Sequence, residues 1–215
     1  MKETTLNVLR TLNKYKAIIG IGVGIAAALG AGAVFFVTER TRNTEDVWQH
    51  IGKINSDLAV IQQKGKDEKE RTTALTTAAD AYKYLRDNMP SSSAMPWVLL
   101  ELGNIHYSLK NYDEAIRTYN DFLHKYGGHH LAPIVKQSLG YAYEEKGRIQ
   151  EAVKQFEDIL ATNNFLAAEA GWDAGRCYEK LGQTSDSVRS YTKAVQLSPS
   201  SIWDTMAQYR LSVIK

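Results

Sequence analysis

His124, His129 and His130, in the stretch HKYGGHH, are the densest group of side chains able to ligate a metal or pass a proton. A zinc centre takes three or four ligands held rigidly. Their neighbours supply no fixed third ligand, and the Gly127-Gly128 pair gives little rigidity, so they read as loop histidines. Cys177 is the single cysteine, which excludes an intramolecular disulfide and every paired-cysteine redox or metal motif. Its place in the chain suits a small packed residue better than a reactive thiol. Ser91-Ser92-Ser93 is flanked by Pro90 and Pro96 and has no base at a recognisable spacing, so it reads as a linker. Gly22-Val-Gly24-Ile-Ala-Ala27 superficially fits a dinucleotide fingerprint. That fingerprint needs a preceding strand and a water-accessible helix N-terminus, and an unbroken apolar run offers neither. No GxSxG, HExxH or P-loop spacing occurs. The expectation is a non-catalytic chain with no cofactor and no metal.

The elements around these residues come next. The chain has 215 residues, 44% hydrophobic and 23% charged, too apolar for wholesale disorder and long enough for a sizeable core. Its net charge is +2, and the basic excess sits in residues 1–16, where Lys2, Arg10, Lys14 and Lys16 face only Glu3. The remainder is close to neutral, which argues against a nucleic-acid surface.

Residues 17–37, AIIGIGVGIAAALGAGAVFFV, carry no charge and are long enough to span ~30 Å of hydrocarbon as a helix. They predict a transmembrane helix. The Lys/Arg excess on the N-terminal flank, against only Arg40 and Arg42 in residues 38–52, places the short basic tail 1–16 in the cytoplasm. Ala31-Gly-Ala33 resembles a signal-peptide cleavage site, but Val34–Val37 extend the apolar run and favour a retained anchor. Gly20, Gly24, Ala28 and Gly32 recur every fourth residue and would form a small-residue face for packing another helix, unless they are ordinary span filler.

Beyond the span a pattern repeats. LGNIHYSLKNYDEAIRTYNDFL starts at Leu102, LGYAYEEKGRIQEAVKQFEDIL at Leu139 and AGRCYEKLGQTSDSVRSYTKAV at Ala174. Each copy has a glycine inside a helical pattern (Gly103, Gly140, Gly175), then an aromatic, a turn (Lys110-Asn111, Gly147, Gly182), a small residue (Ala115, Ala152, Ser187) and a second aromatic (Tyr119, Phe156, Tyr191). A glycine inside a helix costs about 1 kcal/mol against alanine, so each must permit close approach of a second helix. Pro90, Pro96, Pro133 and Pro199 all fall between helices or in first turns.

The pattern resembles the tetratricopeptide repeat, with departures: the family's first tryptophan position holds Leu99, Lys136 and Gly171, and the intervals exceed the usual ~34 residues. The resemblance implies an all-α solenoid over residues 96–215, with three repeats and a capping helix from SSIWDTMAQYRLSVIK. Upstream, Val47, Ile51, Ile54, Leu58 and Ile61 share one helix face, as do Leu75, Ala79, Tyr82 and Leu85. They predict a membrane-proximal helical hairpin over 43–95, a degenerate repeat. The alternative for 47–61 is a short coiled coil between two copies of the chain.

The family's first helices line a groove that holds protein partners. The resemblance maps it onto Trp97, Leu100, Asn104 and Tyr107, then Ile134, Gln137, Tyr141 and Glu144, then Glu169, Trp172, Arg176 and Glu179. The competing reading of these residues is ordinary core between repeats. A basic tail, one span and a repeat ectodomain together resemble the YfgM-like proteins of Gram-negative inner membranes. That layout implies a single-pass adaptor with a periplasmic repeat domain, serving translocon, client or envelope proteins, with a chaperone-like role at the secretion translocon. A scaffold subunit of a large envelope enzyme complex is the alternative, and an enzyme whose site carries no recognisable motif is a further one. Self-association would run through the span or through residues 47–61.

Overall fold

The computed structural model describes residues 29–32, 34, 37–38, 44–60, 67–162 and 164–214. They fall into two units, Met1–Asp46 and Val47–Lys215. In the first, residues 29–32, 34 and 37–38 are helical and exposed. Among the described residues no helix is long and apolar enough to cross a membrane. The expected span 17–37 lies largely outside the described residues, as do Gly20, Gly24 and Ala28 of its small-residue row. Gly32 is described and has open space around it.

The second unit is all helix. Residues 44–60 form α1, and then come α2 (Glu68–Asn88), α3 (Met95–Ser108), α4 (Tyr112–Tyr126), α5 (Ala132–Glu145), α6 (Ile149–Leu160), α7 (Ala167–Lys180), α8 (Thr184–Leu197) and α9 (Ile202–Val213). From α2 onward each helix packs on the next, and the first helices also touch directly, α3 on α5 and α7 on α9. Local chemistry sets the boundaries. Pro96 and Pro133 occupy the first turns of α3 and α5, where a missing N–H costs nothing. Asp67 caps α2 by accepting from the Lys69 N–H, and Ser201 caps α9 by accepting from the Asp204 N–H at 3.1 Å. Gly147 and Gly182 turn α5 into α6 and α7 into α8 at φ +71° and +70°. The matching turn from α3 to α4 uses Lys110 at φ 61°.

The repeat glycines do what their spacing predicts. A Cβ on Gly103 would stand 2.3 Å from the Tyr119 ring, on Gly140 2.6 Å from Phe156, and on Gly175 2.5 Å from Tyr191. Each helix pair is therefore closed by an aromatic of the second helix lying flat on bare backbone of the first. All three rings are essentially fully buried, and an aromatic buried to that degree contributes the largest apolar area available to a side chain.

One continuous core runs from Val47 to Tyr178, and Tyr191, Ala194 and Ala207 form a second, smaller cluster flanked by Trp172 and Leu211. Val47 and Ile51 are buried in the main core, with Ile54 and Leu58 packed against it. Val47 and Ile51 of the expected stripe are thus committed to the chain's own core, while Ile54 and Leu58 stay half-buried and line an open cavity together with Ala74, Ala78 and Ala81. Ile61 lies outside the described residues.

Candidate functional site

α3 and α7 bury most of their residues, so their open positions are few, while α5 leaves more of its surface open. On α3 these are Trp97, Glu101, Asn104, Tyr107 and Ser108. Trp97, Glu101, Asn104 and Ser108 follow the 4-3-4 spacing of one straight stripe. Leu100, expected in the groove, is only 4% exposed and belongs to the core, because its register points it between neighbouring helices. Glu101 was missed by the repeat arithmetic, although its spacing from Trp97 and Asn104 was there to be counted.

The expected groove residues divide into two groups. On α3 all but Leu100 retain some open surface. Trp97 meets Trp48 of α1 edge to face, centroids 6.1 Å apart, and His130 at 6.3 Å. Asn104 accepts a hydrogen bond from the Tyr119 hydroxyl at 2.8 Å, and Tyr107 meets Tyr112 at 5.4 Å. On α5, Ile134 packs against the core, Gln137 is half-buried and its Nε2 has no partner, and Tyr141 lies over Phe156 at 5.5 Å.

From Tyr141 onward the residues are tied to one another. The Tyr141 hydroxyl donates to Asp173 at 2.7 Å and sits 3.4 Å from Glu169. Arg176 donates to both oxygens of Glu144 at 2.7 Å and to Asp173 at 3.1 Å, and Lys180 donates to Glu144 at 2.9 Å. Glu179 accepts from both Nε and Nη2 of Arg210 on α9. Trp172 packs on Tyr191 at 5.2 Å. The C-terminal half of the proposed groove is therefore a ladder joining α5, α7 and α9.

Burial sets the electrostatics of the ladder. Asp173 is 4% exposed; burial raises its carboxyl to about 6 even though Tyr141 and Arg176 act to lower it. Glu144 feels the same burial, but hydrogen bonds from Arg176 and Lys180 outweigh it and hold the carboxyl below its ordinary value. Burial, then the neighbouring Glu144, pushes the Cys177 thiol up, leaving it a protonated packing group. Elsewhere His129 stacks on His130 at 4.1 Å and accepts from the Leu131 N–H, while His124 is exposed. Among the described residues no group of three or more His, Cys, Asp or Glu could hold a metal ion.

Known proteins place this geometry. Tetratricopeptide-repeat family models match residues 97–129 and 138–202. Over those residues the chain matches the tetratricopeptide repeat, and its helices form an array of that fold. A tetratricopeptide repeat protein from Parabacteroides merdae shares the fold at TM-score 0.59 and 19% identity, covering 76% of this chain and 59% of its own length. The chain thus spans less than two thirds of that relative. A MamA RS-1 double mutant gives 0.57 at 16% identity over 77% of this chain and 83% of its own, and a T3SS complex from Aeromonas hydrophila gives 0.50 at 17% over 60% and 87%. No curated protein matches the chain by sequence. The matching family models describe a repeat and no catalytic domain.

Proposed function

We propose that this chain is a membrane-anchored adaptor whose first-helix face holds a segment of another protein. The observation that carries the reading is the open stripe Trp97, Glu101, Asn104 and Ser108 on α3, continued by Gln137 and Tyr141 on α5. It offers aromatic area beside polar groups, the mixture that anchors protein partners. Repeat arrays build broad shallow faces and not converging catalytic groups, so binding fits the architecture better than turnover.

The anchor is residues 17–37, and the charge asymmetry around them sets the tail 1–16 in the cytoplasm and the repeats in the periplasm of a bacterial inner membrane. In that position the array works beside the secretion translocon, receiving client or envelope proteins; a scaffold for an envelope enzyme assembly would use the same face.

The test is site-specific photo-crosslinking in intact cells. A photoreactive residue at Trp97 or Ser108 should give discrete adducts, and one at exposed Asp121 or Lys193 should not. Equal labelling at all four positions, or none, removes the binding face. Proteolysis of spheroplasts reads the topology independently: residues 43–215 should be digested and the tail spared.

A further inference from the structure

The three first helices can be superposed on their glycines. Two residues before the glycine stand Glu101, Ser138 and Asp173; one residue after it stand Asn104, Tyr141 and Arg176. Two of the three copies therefore place a carboxylate at the same point of the face. Within the array those two carboxylates are treated differently.

Asp173 is fully answered. Arg176, one turn along the same helix, donates to it at 3.1 Å, and the Tyr141 hydroxyl donates from the preceding first helix at 2.7 Å. Glu101 has no such answer. Asparagine stands where the arginine would be, and its amide oxygen is already taken by Tyr119. Among the described residues no salt bridge reaches Glu101, whereas Glu144, Asp173 and Glu179 each have an arginine partner. The vacancy has a cost. Burial pushes the Glu101 carboxyl up, and the hydrogen bond from Asn104 offsets only part of it. Its charge also adds to burial in raising the Tyr82 and Tyr119 hydroxyls.

We infer that Glu101 receives an arginine or lysine side chain from the protein segment bound along the first-helix face. This rests on the binding reading above and names the chemistry of its partner. The array shows by its third copy what satisfies a carboxylate at this point. A guanidinium arriving from a partner would repeat the Asp173–Arg176 contact between molecules, one turn along the stripe from half-buried Trp97, whose ring is held by Trp48 and His130. Charge complementarity excludes the opposite choice. Among the described residues the cations of the face, Arg176, Lys180 and Arg210, are already engaged by Glu144, Asp173 and Glu179, so there an acidic segment would meet carboxylates and cations that are already paired.

The experiment uses the full chain in detergent and a positional-scanning library of dodecapeptides. Arginine or lysine should be enriched at one position, and the best peptide should lose about tenfold in affinity on Glu101→Gln. Its variant with methionine in place of the basic residue should bind wild type and Glu101→Gln equally, which assigns the loss to the pair. Glu101→Gln removes a desolvated charge, so its melting temperature should not fall. Peptides captured without basic enrichment, or a basic preference indifferent to Glu101→Gln, overturn the inference and leave the binding face standing. Capture that is absent, or that survives both Trp97→Ala and Glu101→Gln unchanged, overturns the binding face itself.

Discussion

Arg176 grips both carboxylate oxygens of Glu144, 32 residues earlier in the chain, with two hydrogen bonds of 2.7 Å. The pair joins the first helices of two successive repeats. The Glu144 side chain is 8% exposed and that of Arg176 33%. A bidentate pair of this kind fixes the angle between planar groups as well as their separation, so it sets how α7 lies against α5.

Removing one partner should therefore cost more than the pair contributes. Arg176→Ala leaves Asp173 buried without its counter-charge and Glu144 with Lys180 alone, and the expected destabilisation is about 2–4 kcal/mol, toward the lower side for a buried pair because Arg176 is partly solvated and Lys180 remains. Arg176→Met with Glu144→Met should recover the part of the loss that Glu144 causes, while Asp173 stays buried beside the Tyr141 hydroxyl. Urea unfolding of wild type, Arg176→Met, Glu144→Met and the double variant measures the cycle. An Arg176→Ala chain as stable as wild type would mean that the ladder does not hold the repeats together.

The ladder also makes a pH prediction with a definite sign. Asp173 titrates at about 6 in the fold and near 3.9 unfolded, so between these values the folded chain binds the extra proton. Its contribution to stability falls as pH rises from about 4 to 6, by no more than about 1.4 kcal/mol per pH unit. Glu144 runs the other way, because its folded pKa is lowered; its contribution is present above the ordinary glutamate value and lost as pH falls through the folded one. Buried His106, also lowered, loses stability as pH drops below the ordinary histidine range. The sum of these is less informative than a difference. Subtracting the profile of Asp173→Asn from that of wild type should leave a slope that declines with pH across 4–6, and a flat difference would mean that Asp173 is ionised throughout.

How far these features could be read in advance follows from which physics decides them. The repeats were legible because Gly103, Gly140 and Gly175 each have an aromatic partner 16 residues later, and no local preference explains a glycine at mid-helix. The helix α1 was legible through the periodicity of Val47, Ile51 and Ile54. The open stripe of α3 was legible only in outline. Leu100 and Glu101 are adjacent, and a rotation of one residue decides which is core and which is open; that rotation is set by how α3 sits against α2 and α5. The pairing of Arg176 with Glu144 was invisible, since it depends on the distance between helices 32 residues apart in sequence. Both residues had been assigned to the face without any sign that they would satisfy each other.

The glycine closure predicts its own breakage. Gly140→Ala puts a methyl carbon 2.6 Å from two atoms of the fully buried Phe156 ring, which has no room to swing away. Overpacking of this kind costs about 1–3 kcal/mol, more than the helix propensity gained from alanine. Phe156→Leu in the same chain should make Gly140→Ala nearly neutral relative to Phe156→Leu alone, because the smaller side chain leaves space for the methyl. Thermal melts of the single and double variants separate steric conflict from a simple loss of flexibility: if Gly140→Ala costs the same in both backgrounds, the ring is not what requires the glycine.

The turns offer the opposite experiment, in which the native residue is the wrong one. Gly147 and Gly182 take φ +71° and +70°, and Lys110 takes φ 61° at the same place in the first copy. A side chain in the left-handed region costs about 1 kcal/mol or more, because its Cβ crowds the following carbonyl. Glycine removes that strain but gives back part of the gain through the greater freedom of the unfolded chain. Lys110→Gly should therefore raise stability by about 0.5 kcal/mol, and Gly147→Ala should lower it by about 1 kcal/mol. Lys110 is exposed, so no packing change confuses the comparison. The two substitutions run in opposite directions along one turn geometry, and measuring both by urea unfolding guards against a general effect of glycine content. If Lys110→Gly destabilises by as much as Gly147→Ala, the first turn is held by interactions of the lysine side chain and not merely tolerated by the fold.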